Sequence, residues 1–237
     1  MLVNCVAYQD GRKLADIQKR EIKSYLARPG CFVWVALRDA DAAELAELQD
    51  EFDLHELAVE DAFQGNQRPK IEEYGDSLFT VLHTVEVAGE ELNVGEVDVF
   101  IGRNYVLSAR RKTERGFQDV RARCEREPEL LSHGPGYVLY ALMDAVVDRY
   151  QPVLDALEAE LEALEEQIFT GKAPRENIES MYYVKQKLSV LKHAAASLLD
   201  ATGRLFGGRV PQPCAGLGSW MDTCMGIWLM YSTIRLL

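Results

Sequence analysis

Short runs rich in Val, Phe, Tyr and Leu punctuate the first part of the chain: LVNCVAY from Leu2, CFVWVAL from Cys31, SLFTVLHTVEV from Ser77, EVDVFIG from Glu96 and NYVLSAR from Asn104. Their length and their β-branched and aromatic content predict strands. Between them, apolar residues recur at threes and fours over about 17–26, 42–52 and 54–63, the period of helices. The last three strands follow one another with only AGEELNV and RN between them, which predicts an antiparallel meander. A mixed sheet covered by helices, an α/β arrangement, satisfies both patterns.

The pattern changes at about Gly136. Met143, Val146, Tyr150, Val153, Leu157, Leu161, Leu164 and Ile168 form one narrow apolar seam on a helix that runs to about Thr170, with Pro152 expected to kink it. Gly171 and Pro174 punctuate a turn. A second seam follows in Ile178, Met181, Val184, Leu188, Leu191, Ala195 and Leu198, so two long helices should pack antiparallel. The organisation expected is an N-terminal domain over 1–135, a long acidic helical hairpin over 136–206, and an irregular tail over 207–237.

Charge narrows the partners. The 237 residues carry 26 basic and 38 acidic side chains, a net charge of −12, which repels nucleic acid and attracts cations. The basic run Arg110, Arg111, Lys112, Arg115, Arg121, Arg123 and Arg126 reads as the solvated face of a helix and its entry loop. Asp155, Glu158, Glu160, Glu162, Glu165 and Glu166 stand between Gln151 and Thr170 without a Lys or Arg. They are either a solvated face or a collector of cations. Five widely spaced cysteines show no metal or redox spacing, which suits a reducing, cytosolic chain. Met225–Leu237, the longest weakly charged apolar run, is shorter than a membrane span. No His-Glu-x-x-His, nucleophile elbow or phosphate loop occurs, so neither an enzyme nor a small-molecule substrate is expected. His83 reads as a satisfied structural residue and His55 as an exposed first-turn residue.

One stretch carries candidate chemistry. In LAVEDAFQGNQRPKIEEYG, Glu60 and Asp61 sit in the last turn of the predicted helix, where the backbone is already partly negative. Asp53 and Glu56 have the spacing of a capping box, and Leu54, Leu57, Ala58 and Ala62 recur at helical intervals, so Asp61 falls beside the apolar stripe. A carboxylate there needs a cation: Arg68 or Lys70 within the chain, or a bound metal ion.

Four blocks in order then give a resemblance: FDLHELAVEDAFQGNQRPKIEEYGDSLF, VFIGRNYVLSAR, VLYALMDAVVDRYQPVLDALEAELEALEE and LKHAAASLLDATGRLF. They resemble the cytoplasmic part of CorA-type divalent-cation transporters. The resemblance implies an α/β/α domain, an acidic helical hairpin, a stalk helix and two membrane spans with a Gly-Met-Asn motif. It also implies a homopentamer that carries Mg2+, often Co2+ or Ni2+, and is held closed by Mg2+ bound between subunits. The family's regulatory acids fall on Glu60, Asp61 and Asp144. A zinc-transporting relative is an alternative within the same fold, and a soluble metal-dependent hydrolase is one outside it. The tail departs from the family: GGRVPQPCAGLGSWMDTCMGIWLMYSTIRLL has no Gly-Met-Asn and no spanning helix. It reads as an out-of-frame replacement of the stalk, and a full-length relative would sit in the inner or plasma membrane with this region in the cytoplasm. The chain as given is expected to be soluble, a monomer or a weak oligomer.

Overall fold

A computed structural model describes residues 1–89, 91–170 and 174–207. The turn expected around Gly171 and the tail from residue 208 lie outside them. The centre is a seven-stranded mixed sheet in the order β2-β1-β3-β7-β6-β5-β4. Its strands are β1 (Leu2–Gln9), β2 (Arg12–Asp16), β3 (Cys31–Arg38), β4 (Lys70–Tyr74), β5 (Ser77–Ala88), β6 (Glu91–Ile101) and β7 (Tyr105–Arg111). β3 and β7 pair in parallel and every other adjacent pair is antiparallel. The meander β5-β6-β7 is as the apolar runs predict. The two edge strands were not visible in those runs, because RKLAD and KIEEY are mostly polar. β2 is joined to β1 by Asp10 and Gly11, both at positive φ (50° and 76°), the backbone that a tight two-residue hairpin turn requires.

Helices cover both faces of the sheet. Residues 17–26 contribute a 3-10 turn, Lys19–Glu21, and α1 (Ile22–Leu26). Then come α2 (Ala42–Phe52), α3 (Glu56–Gln64), α4 (Gln118–Arg126), the single turn α5 (Pro128–Leu131), and the long helices α6 (Pro135–Phe169) and α7 (Pro174–Gly207). The strand period of two divides the core. Val33, Val35, Phe79, Val81, Phe100 and Leu107 pack under Leu45, Leu48, Phe52, Ala58 and Ala62 of α2 and α3. Phe32, Trp34, Val97, Val99 and Val106 pack on the opposite face under Tyr137, Leu142, Val146 and Tyr150 of α6 and Leu191 and Leu198 of α7. Full burial of side chains such as Trp34, Tyr8 and Tyr150 contributes on the order of 1.5–3 kcal/mol each.

α6 changes environment along its length. From Tyr137 to Leu157 it is mostly buried against the sheet, whereas beyond Leu157 only Leu164 is buried. Leu161 and Leu188 are half-buried, and Ile168, Ile178 and Met181, expected in the seam, are exposed with Phe169, Tyr182 and Tyr183. Pro152 lies within the helix. No helix of the described residues is long and apolar enough to cross a membrane. Cys5, Cys31 and Cys124 are buried free thiols, and burial pushes Cys124 up to about 12.

Two local expectations change. Asp41, rather than Asp53, forms a capping box: its carboxylate accepts from the Glu44 N–H at 2.8 Å at the start of α2. Asp53 ends that helix in the left-handed conformation (φ 53°), which a short polar side chain tolerates. α3 therefore starts two residues later than predicted, with His55 as N-cap; its Nδ1 accepts from the Leu57 N–H at 3.3 Å and its ring stacks on Tyr74. The later start leaves Leu54, still buried, outside the helix; within it Leu57 is exposed, and Ala58 and Ala62 are the buried residues.

Candidate divalent-cation site

α3 brings its two acids to different surroundings. Glu60 is exposed and its Oε1 accepts from Gln64 Nε2 at 2.8 Å, one turn on. Asp61 is half-buried, and its Oδ2 accepts from Lys70 Nζ at 2.7 Å. Of the partners the sequence offered, the structure selects Lys70, which also reaches Glu72 at 2.7 Å. Burial would lower the Lys70 ammonium, but its hydrogen bonds to Asp61 and Glu72 outweigh that and hold its pKa above the ordinary value.

The unfavourable charge at the helix end is answered from the sheet. Arg111 on β7 donates Nη2 to the carbonyls of Ala62 at 2.8 Å and Phe63 at 3.0 Å. A guanidinium on these terminal carbonyls offsets the partial negative charge that Glu60 and Asp61 would otherwise add to. The chain leaves α3 through Gly65 (φ 63°), where a Cβ would lie 2.6 Å from Arg111 Nη1.

Asp144 projects from α6 towards α4, and its Oδ2 accepts from Arg123 Nη1 at 2.8 Å. This corrects the reading of Arg123 as part of a solvated face. Burial would lower the guanidinium, and the Asp144 hydrogen bond and charge raise it. Asp148, one turn further along α6, is pushed up by partial burial and then by the negative charge of Asp144.

The sheet separates these acids. α3 lies on one face and α6 on the other, so the structure brings Glu60 and Asp61 together by sequence and does not bring Asp144 to them. Among the described residues no group of three or more His, Cys, Asp or Glu is placed to hold a metal ion. Carboxylate oxygens are the donors that a hard cation such as Mg2+ takes, but among the described residues of one chain Glu60, Asp61 and Asp144 do not converge.

Sequence reasoning passed over two buried acids beneath α3. Glu96 and Asp98, two residues apart on β6, face the same side of the sheet. Glu96 Oε2 accepts from the Gln67 N–H at 2.9 Å, while Glu96 Oε1 and Asp98 Oδ1 have no hydrogen-bond partner. The alternation Glu-Val-Asp-Val was a visible signal, but alternation alone reads as a solvent face. His83, on the neighbouring strand, is satisfied as predicted, with Nε2 2.7 Å from the Gln67 carbonyl oxygen.

A family described as CorA-like Mg2+ transporter protein matches residues 30–212, most of the chain. The chain belongs to that family. It is 38% identical over 133 residues to the putative metal ion transporter YfjQ of Bacillus subtilis, covering 56% of this chain and 41% of that protein. To the cobalt/magnesium transport protein CorA of Thermotoga maritima it is 27% identical over 177 residues, 73% of this chain and 50% of that protein. The chain thus spans about half the length of these relatives or less. The soluble domain of CorA from Methanocaldococcus jannaschii has the same fold, with a TM-score of 0.69 at 16% identity over 100% of this chain and 90% of that one.

Proposed function

We propose that this chain is the cytoplasmic, divalent-cation-sensing part of a CorA-type Mg2+/Co2+ transporter, and that its sensing acids act between copies. Glu60 and Asp61 of one copy and Asp144 of a neighbour would share Mg2+. The observation that carries the reading is the separation of these acids by the sheet within a chain of this family, which leaves a neighbour to complete a ligand set. Glu60 is exposed and, among the described residues, is bonded by a side-chain amide and by no basic side chain, so a cation could reach it without first breaking an ion pair. Asp61 and Asp144 would each have to exchange Lys70 or Arg123 for the metal. That competition favours weak binding, appropriate to sensing Mg2+ at millimolar concentration. Co2+, Ni2+ or Zn2+ would meet the same oxygen ligands.

Thermal unfolding tests this. In about 10–20 mM MgCl2 the melting temperature should rise by a few degrees beyond that in NaCl of equal ionic strength. The Glu60→Ala/Asp144→Ala double variant should lose the Mg2+-specific part and keep the NaCl response. A double variant with the full Mg2+ shift would place the site elsewhere.

A further inference from the structure

A cavity lies on the α6 face of the sheet, away from the acids of α3. It has a volume of about 160 Å³ and opens beside the carboxyl ends of the parallel strands β3 and β7, where α4 begins. Crevices at the carboxyl ends of parallel strands are the usual ligand positions of open α/β sheets. Its polar lining is Asn4, Ser108, Arg110, Gln118 and Arg121, with Trp34 and Phe117 supplying aromatic walls; the Ser108 hydroxyl is already engaged by Trp34 and the Val35 carbonyl.

The charge of that lining runs against the rest of the molecule. The chain has 38 acids, yet none of the described residues lining this cavity is Asp or Glu. Arg110 directs Nη1 to the carbonyls of Thr113 at 2.9 Å and Glu114 at 3.4 Å, so it is anchored by backbone oxygens. Burial and the neighbouring charge of Arg38 both pull its pKa below the ordinary value. Arg121 has a carboxylate at longer range, Glu125 Oε1 at 3.5 Å from its Nε, and that oxygen also accepts from the Tyr8 hydroxyl at 2.9 Å. The two guanidinium groups and the amides of Asn4 and Gln118 are hydrogen-bond donors of the kind that recognise oxyanions.

We propose that this cavity is a binding site for a compact oxyanion, a phosphate, sulfate or small carboxylate group held by Arg110 and Arg121. Its volume is below the range of about 300–1,000 Å³ of drug-sized ligand pockets, which favours a compact occupant. Arg121 stands two residues before Arg123 on α4, so an anion seated here rests on the helix whose Arg123 pairs with Asp144 of α6.

Trp34 supplies a reporter, because its indole N–H lies at the cavity and donates to Ser108 Oγ at 3.3 Å. The 15N-labelled chain, in EDTA to keep metal out of the measurement, is titrated with sodium phosphate, sodium sulfate or sodium acetate against NaCl of equal ionic strength. A saturable shift of the Trp34 indole resonance at millimolar phosphate, beyond the NaCl response, is expected. The same shift with sulfate alone assigns a tetrahedral oxyanion, and with acetate as well a carboxylate-compatible site. Arg121→Gln should weaken binding by about tenfold or more, and Arg115→Gln, in a separate cavity, should leave it unchanged. Arg110→Gln serves as the second variant if Arg121→Gln does not fold. No saturable shift with any of the three anions up to about 50 mM overturns the proposal. So does wild-type binding by the folded variants at both arginines.

Discussion

Asp98 is 2% exposed, and its Oδ1 has no partner. Burial pushes its carboxyl well above the ordinary range; the charges of Glu96 and Asp61 push the same way, and Arg111 and Lys70 oppose them. The folded state therefore holds a proton that the unfolded chain releases at a pH near 4. Between that pH and the raised folded value the native state binds more protons, so the associated stability is full at low pH and falls as pH rises. Asp98→Asn keeps the shape and removes the titration. Urea unfolding should show a flatter dependence above about pH 4, so that the variant gains stability relative to the unsubstituted chain as pH rises toward 8, the part that the unsubstituted chain loses in ionising a buried carboxyl or keeping it protonated. Parallel curves for the two proteins would mean that Asp98 does not titrate in this window. None of this was legible in the strand pattern, which puts Glu96 and Asp98 on one face but cannot say that α3 covers it. The need of Asp61 for a cation was legible, but the choice of Lys70 over Arg68 or a metal ion was not, because it depends on how the chain crosses from α3 to β4.

At the scale of elements, stability should track how far along α6 a residue lies. Leu157 and Leu191 are 3% and 0% exposed, in the region where α6 and α7 also share the sheet. Substitution of either by Ala should cost about 2–5 kcal/mol, measured by chemical denaturation. Leu161, half-buried beyond that region, should cost less than either. An equal loss at Leu161 would mean that the distal ends pack as tightly as the proximal ones. Asp41→Ala at the start of α2 should cost about 1 kcal/mol, and Asp53→Ala should not reproduce it as a lost N-cap. The long seams and the five apolar strands were readable because a fixed period repeats over many residues. The edge strands β2 and β4 were not, since a strand paired on one side and mostly polar carries little of that period. The caps were misplaced by the Asp-Leu-His junction: Asp53 has the residue type of an N-cap, and only the backbone conformation shows that it ends the preceding helix.

At the scale of the whole molecule, a net charge of −12 opposes association of copies, and a cation shared between them would reduce that repulsion. The partner of a shared site cannot be read from one chain, because the sequence names the acids and not the neighbour that faces them. Mixing separates the two possibilities. Glu60→Ala and Asp144→Ala should each lose Mg2+-dependent association, followed by sedimentation in MgCl2 and in NaCl of equal ionic strength. If an ion bridges Glu60 of one copy and Asp144 of the next, an interface between the two variants can still be whole: the Asp144→Ala copy supplies Glu60 and the Glu60→Ala copy supplies Asp144. The mixture should then regain part of the Mg2+-dependent association that neither variant shows alone. If both acids act within the same copy, every copy in the mixture lacks one of them and nothing is regained. A mixture that sediments like its separate components would therefore refute the shared site, provided that the unsubstituted chain associates with Mg2+ under the same conditions.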